Sequence, residues 1–331
     1  MIRGMNSLKA CFPGKRQIFR DEGYRGPLVS TRYFEGWYLR HVSFDKSRSL
    51  AVIAGLSLAP DPHAFIQLLY GPDSRVVKVR YSLEELKARR DRFELNLGNN
   101  HFSPRGMVLD IDNGIDKICG SLEYHNVSAY PSTVVSPGIM GPFSWLPFME
   151  CIHGLISMDH GLSGQILWNG ENLDFSNGRG YIEKDRGRSM PEQWVWVQTN
   201  QFENPGDSLM FSLAGIPWMG RYFNGHLGFL RLNGTLNKFG TYTGSRVSGR
   251  RAEGHMELQI RNKQLTLLLD LDWEGKGGSL YAPVQGVMNR EIIEMPHSIL
   301  KATLTKDRKI LWKGRAEPAA AEVVGDLSKI L

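Results

Sequence analysis
The residues from Gly178 to Phe202, GRGYIEKDRGRSMPEQWVWVQTNQF, read as strand, turn, strand and join two related halves of the chain. Tyr181, Glu183 and Asp185 alternate with Ile182 and Lys184. After Met190-Pro191, the series Trp194, Trp196, Gln198, Asn200 and Phe202 alternates with Val195 and Val197. Successive strand side chains point to opposite faces, so the first strand gathers a tyrosine and two carboxylates on one face. The second strand gathers tryptophans and amides in the same way. Acid, amide and aromatic groups together suit a pocket wall better than a plain core.

Upstream, short runs rich in aromatic and β-branched residues are separated by Gly, Pro, Asp and Ser: YFEGWYLRHVSF, SLAVIAGLSLA, AFIQLLYG and VVKVRYS. This is the pattern of an all-β protein. One helix is expected to interrupt it, opened by a capping box of Ser82 and Glu85 in SLEELKARRDR. Four matches in the same order then suggest a duplication. FEGWYLRHVSF pairs with WVWVQTNQF, placing Trp37 opposite Trp196; MVLDID ending at Asp112 pairs with LLLDLD ending at Asp272; GSL recurs at Gly120 and Gly278; and ILWNG from Ile166 pairs with ILWKG from Ile310. Units of about 130 to 160 residues are domains rather than solenoid repeats. Each half offers about eight or nine strands, and closure into a barrel removes the reactive edges such a sheet would leave. The expected division is a first barrel over residues 25–187, a second over 188–316, and a tail, 317–331, forming a short helix packed on a barrel.

At 331 residues the chain can bury one large or two ordinary cores. Its +6 charge is scattered, with no concentrated basic and aromatic groove, so nucleic acid is not an expected partner. Cys11, Cys119 and Cys151 are odd in number and far apart, which argues against a disulfide framework and suits a reducing compartment. No stretch reaches the roughly 18 apolar residues that span a bilayer. The expectation is a cytoplasmic protein with room for peripheral contact with a membrane. Oligomeric state is left open.

At FEGWY (Phe34 to Tyr38), SMDH (Ser157 to His160), GRGYIEKDRG (Gly178 to Gly187) and WVWVQTN with Phe202 following, the sequence resembles the tocopherol cyclase family. The resemblance runs over nearly the whole chain from about residue 25, in the family's order, and extends distantly to carotenoid hydratases. It implies two tandem lipocalin-like antiparallel barrels and a hydrophobic, prenylated small-molecule substrate. It further implies protonation of a prenyl double bond on a hydroquinone and capture of the tertiary cation by the phenolic oxygen, with no cofactor and no metal. One departure stands out: Arg186 occupies the place where a tryptophan is expected after Lys184-Asp185.

Protonating an alkene needs an acid that keeps its proton near neutral pH, which burial or a second carboxylate can arrange. Glu183 and Asp185, on one face, could form such a pair, and the acid of the related hydratase motif carries over by position to Glu183, with Tyr181 beside it. Glu35, on the face of Trp37, is the reserve acid. Trp37, Trp194 and Trp196 could hold a cation by its attraction to their rings, about 0.5–2 kcal/mol each. Asp159, Gln198 and Asn200 could orient the hydroquinone or accept its phenolic proton, and His160 completes the expected binding set. Blander readings compete: Glu183 as a structural carboxylate paired with Arg179 or Arg188, and the tryptophans as core. His153 and His160 lack a compact third ligand, so no zinc site is predicted. Rival functions are a non-catalytic carrier of an apolar ligand and a hydratase of an isoprenoid double bond.

Overall fold
Alternation becomes strand along almost the entire chain, as Gly106–Asp112 shows: Met107, Leu109 and Ile111 are buried, while Val108, Asp110 and Asp112 face solvent. The computed structural model describes residues 22–26, 32–134, 136–146, 149–218, 221–275 and 277–331; Cys11 lies outside them. The first sheet contains β1 (Phe34–Val42), β2 (Ser49–Ser57), β3 (His63–Tyr70), β4 (Arg75–Tyr81), β5 (Leu86–Ala88), β6 (Leu95–Leu97), β7 (Asn100–Ser103), β8 (Gly106–Asp112), β9 (Lys117–His125), β10 (Cys151–Trp168), β11 (Glu171–Asp174) and β12 (Arg179–Gly187). The second contains β13 (Trp194–Thr199), β14 (Ser208–Trp218), β15 (Arg221–Leu232), β16 (Thr235–Gly240), β17 (Arg246–Ala252), β18 (His255–Asn262), β19 (Leu265–Asp272), β20 (Gly278–Val284), β21 (Val287–Lys306) and β22 (Lys309–Val324).

Every ladder is antiparallel, and the two sheets share a plan. The opening strand, β1 or β13, is flanked on one side by the meander that follows it and on the other by the returning strand, β12 or β22. Each sheet wraps its own core: Leu39, Val52, Phe102, Leu122 and Ile182 in the first, Val197, Phe211, Ile260, Leu269 and Leu300 in the second. The all-β, lipocalin-like class expected from sequence is what the chain adopts. The barrels are not closed by hydrogen bonds, because the strand orders end at β4 and β5 in the first sheet and at β16 and β17 in the second, with no ladder joining those ends among the described residues.

A third apolar cluster lies between the sheets and draws Tyr38, Tyr181, Trp194, Trp196, Met210 and Phe229 from both. It explains why β1, β12 and β13 are buried on both faces: one face packs on its own core and the other on the opposite sheet.

Three expectations are corrected. The capping box forms, Ser82 N and Oγ both donating to Glu85 Oε2 at 2.9 and 3.0 Å, but it opens a single 3-10 turn, Leu83–Glu85, before β5. Leu83 and Leu86 alone cannot give a helix a buried stripe, and a short helix without one is marginal. The tail is strand rather than helix as far as Val324, with Ala320 opposite Gln198 and Val324 opposite Trp194. Ala319, Ala320 and Ala321 are wholly buried, and small side chains let β22 lie in the crowded space between sheets, where packing overrides helix propensity. Finally, the repeat matches are out of register. The MVLDID strand is the fourth ladder neighbour outward from β1, whereas the LLLDLD strand is the third from β13. GSL falls on β9 in one half and on β20, off the main strand order, in the other. Trp37 and Trp196 sit on equivalent strands but face opposite ways, one into the first core and the other between the sheets. A slip of one residue reverses a strand's faces, and Tyr38, the neighbour of Trp37, is the β1 aromatic that shares the inter-sheet cluster with Trp196.

Candidate active site
Three rows of side chains project between the sheets: Tyr38 and Arg40 from β1; Asp185, Glu183, Tyr181 and Arg179 from β12; and Trp194, Trp196 and Gln198 from β13. Their register places Tyr38 opposite Glu183 and Arg40 opposite Tyr181. At one end of the rows the sheets part around a cavity of about 310 Å³. Its walls come from both halves, including Phe34, Tyr38, Ile53, Met140, His153, Glu183 and Asp185 on one side and Trp194, Trp196, Leu227, Ile292 and Glu322 on the other. The lining is mainly apolar, with few polar groups, as in small-molecule sites.

Glu183 is the acid of the first wall. Tyr181 Oη donates to its Oε2 at 2.5 Å, Trp196 Nε1 donates to the same oxygen at 3.2 Å, and His153 Nε2 lies 3.5 Å from it. His153 Nδ1 is hydrogen-bonded to Asp185 Oδ1 at 2.9 Å, so one imidazole stands between two carboxyl groups, bonded to one and within ion-pair distance of the other. Burial, opposed by His153 and reinforced by Asp185, pushes the Glu183 carboxyl up to about 7. Burial works against a charge on His153, yet Asp185 and Glu183 outweigh it and raise the imidazole to about 9. Glu183 is therefore an acid that holds a proton near neutrality beside a cation that can stabilise its conjugate base. The ligand atoms of His153, Glu183 and Asp185 lie within 4.8 Å of one another, so a divalent cation could also be held there in place of the proton.

The second wall carries a carboxyl of its own, Glu322, and Glu294 is buried beside it, off the cavity. Trp194 Nε1 donates to Glu322 Oε2 at 2.6 Å, and Tyr38 Oη donates to Glu294 Oε1 at 2.8 Å. Burial raises both, Glu294 to about 7. The Arg290 guanidinium lies 5.0 Å above the Trp194 ring, which therefore already faces a cation. Trp196 meets Tyr38 edge-on at 5.4 Å and lines the cavity.

The other end of the rows is a polar latch between the halves. Asp159 accepts Arg179 Nε at 2.8 Å and Asn200 Nδ2 at 3.1 Å, and its second oxygen pairs with Arg179 Nη2. Asn200 also donates to Gly180 O at 2.9 Å, and Arg40 donates to Gln198 Oε1 at 3.4 Å. His160 packs 4.4 Å from the Tyr124 ring, with Nδ1 bonded to Ser157 Oγ at 2.9 Å. Thus Glu183, Asp185, Trp194 and Trp196 line the cavity and Tyr181 bonds Glu183, whereas Asp159, His160, Gln198 and Asn200 lie off its walls. Glu183 meets His153, not Arg179 or Arg188.

Glu35 and Trp37 also lie elsewhere. Glu35 is buried against Lys184 Nζ at 2.6 Å and accepts Tyr33 Oη at 2.7 Å. Trp37 stacks on Phe93 with ring centres 5.8 Å apart. Both occupy the β1 face turned away from Tyr38, toward the first core, and Arg186 likewise does not line the cavity. The sequence reading missed His153, Tyr38, Glu294 and Glu322 as site groups. For Glu294 and Glu322 the available signal was a charged residue standing inside an apolar or alanine-rich strand, as in REIIEM and PAAAEVV.

A family model described as tocopherol cyclase-like matches residues 122–325. A probable chloroplastic tocopherol cyclase from Oryza sativa subsp. japonica is 32% identical over 147 residues, covering 42% of this chain and 31% of that protein. The chloroplastic tocopherol cyclase of Zea mays is 35% identical over 97 residues, covering 28% of this chain and 20% of that protein. The chain therefore aligns with less than a third of the length of these relatives. Among solved structures, CghA with Sch210972 superposes with a TM-score of 0.60 at 10% identity, and CghA alone with 0.57 at 9%, each over 89% of both chains. At such identities the likeness is one of fold. No helix among the described residues is long and apolar enough to cross a membrane. Because the matching family model spans more than half of its residues, the chain belongs to the tocopherol cyclase-like family.

Proposed function
We propose that this chain catalyses acid-initiated cyclisation of a prenylated hydroquinone, or a related oxygenated isoprenoid, to a chromanol-type ring. The observation that carries the reading is Glu183: a buried carboxyl raised to about 7, facing an apolar cavity, with a tyrosine, an indole and an imidazole gathered on one of its oxygens. The tyrosine and the indole, both donating to Oε2, leave the other oxygen to carry the proton. Transfer of that proton to the alkene carbon produces a tertiary cation and the Glu183 carboxylate, which Tyr181, Trp196 and His153 then stabilise. The Trp196 ring and the apolar walls keep water from the cation. Attack by the phenolic oxygen closes the ring. The phenolic proton passes to Asp185; His153, hydrogen-bonded to Asp185 and 3.5 Å from Glu183, returns a proton to Glu183, and the proton taken up by Asp185 restores that of the imidazole. The product is an isomer of the substrate, and the residues named here supply every proton the step requires.

Anaerobic incubation of the purified protein with 2-methyl-6-phytyl-hydroquinone tests this. An isomeric chromanol that disappears in Glu183→Gln supports the reading. A product heavier by one water means a hydratase, and unchanged ligand bound by both proteins means a carrier.

A further inference from the structure
We propose that Glu322 is a second functional carboxyl of this cavity, donating a hydrogen bond to a ring oxygen of the substrate and so selecting for an oxygenated ring. The inference rests on the reading of the cavity as a site for a prenylated ring. Glu183 lies on the strand that returns beside the opening strand of the first half, opposite Tyr38; Glu322 lies on the corresponding strand of the second half, opposite Trp196. Tyr38 and Trp196 share the cluster between the sheets, so Glu183 and Glu322 each stand on a returning strand opposite an aromatic of that cluster. Both line the same cavity, and each accepts an indole N–H from one face of β13, Trp196 for Glu183 and Trp194 for Glu322.

The hydrogen bonds also have one pattern. The donors of Glu183 converge on Oε2, and the indole of Trp194 takes Oε2 of Glu322. Among the described residues no hydrogen bond reaches the other oxygen of Glu322. Glu294 stands directly opposite it across the ladder, wholly buried, with Oε2 unpartnered and no hydrogen bond joining the two. Burial disfavours the charged form and, with Glu294 beside it, raises the Glu322 carboxyl well above its ordinary value. A neutral carboxyl whose carbonyl oxygen accepts from an indole places its O–H on the other oxygen. Glu322 keeps part of its surface open to the cavity, so that O–H faces the substrate. Glu183 serves the alkene and Glu322, on the opposite wall, the ring.

The test uses two unreactive ligands with saturated chains, a hydroquinone and the matching monophenol without the second hydroxyl, titrated against the intact protein by calorimetry. Wild type is expected to prefer the hydroquinone by about tenfold, the value of one buried hydrogen bond. Glu322→Leu should lose that preference while binding the monophenol as wild type does, which also reports its folding. Glu322→Gln should retain it, because an amide still donates, although Glu183→Gln, which cannot transfer a proton, stops turnover. A preference that survives in Glu322→Leu, or no preference in a wild type that binds both ligands, overturns the inference and leaves the cyclase reading standing. A wild type that binds neither ligand overturns both.

Discussion

Removing His153 should raise, not lower, the pH at which the acid of this site stops working. In the wild type, protonated His153 stands 3.5 Å from Glu183 Oε2 and 2.9 Å from Asp185 Oδ1 and favours the Glu183 carboxylate. With an effective dielectric of about 20, a charge pair at about 3.5 Å is worth about 4.7 kcal/mol, or about 3.5 pH units. Pairs of this kind shift carboxyl groups by about 1–3 units in practice. In His153→Asn that attraction disappears, while burial and the Asp185 charge remain to push Glu183 upward. The alkaline limb of kcat against pH, near 7 in the wild type, should therefore move up by about 1–3 units. Turnover at the optimum falls, because the carboxylate left after proton transfer has lost its cation. The assay is the full pH profile of ring closure for both proteins. A limb that stays in place, or moves toward acid, refutes Glu183 as the proton donor and His153 as its counter-charge.

Three further outcomes follow from the same geometry. Lys184→Met leaves Glu35 buried without its cation, at 0% side-chain exposure, and should cost about 3–5 kcal/mol in denaturant unfolding without moving the pH limb. Arg179→Ala should likewise lower stability by about 3 kcal/mol, through the Asp159 carboxylate it abandons between the halves, and leave the affinity of a saturated hydroquinone nearly unchanged. Glu294 is held above its unfolded value of 4.5, at about 7, so the folded state binds the proton more tightly; its contribution is complete below about 4.5 and is lost as pH rises through about 7. Thermal unfolding of Glu294→Gln should accordingly lose less stability between pH 5 and pH 8 than wild type, the difference being at most about 3 kcal/mol.

Much of this fold was legible because period-two alternation is local. The face of Tyr181, Glu183 and Asp185 and the face of Trp194 and Trp196 follow from counting residues, and both line or touch the cavity. What counting cannot supply is which face of an opening strand meets the other sheet. Trp37 and Tyr38 are neighbours, both aromatic and both buried, yet one belongs to the first core and the other to the site. The same one-residue ambiguity placed Glu35 with the acids when its partner is Lys184. Alternation also does not say where along a row the cavity ends: Gln198 and Asn200 continue the series of Trp194 and Trp196 but fall in the latch. His153, Glu294 and Glu322 depend on strand pairing between residues distant in sequence, which no single-strand pattern encodes.

Proton delivery to carbon is the centre of the account, and deuterium reports it directly. Ring closure of the prenyl hydroquinone in heavy water, followed by return of the product to ordinary water and mass and magnetic-resonance analysis, shows whether solvent-derived hydrogen reached the former alkene carbon. The account predicts a chromanol carrying one non-exchangeable deuterium at that carbon, formed by wild type and absent with Glu183→Gln. A chromanol without that deuterium, or one formed equally by Glu183→Gln, contradicts it.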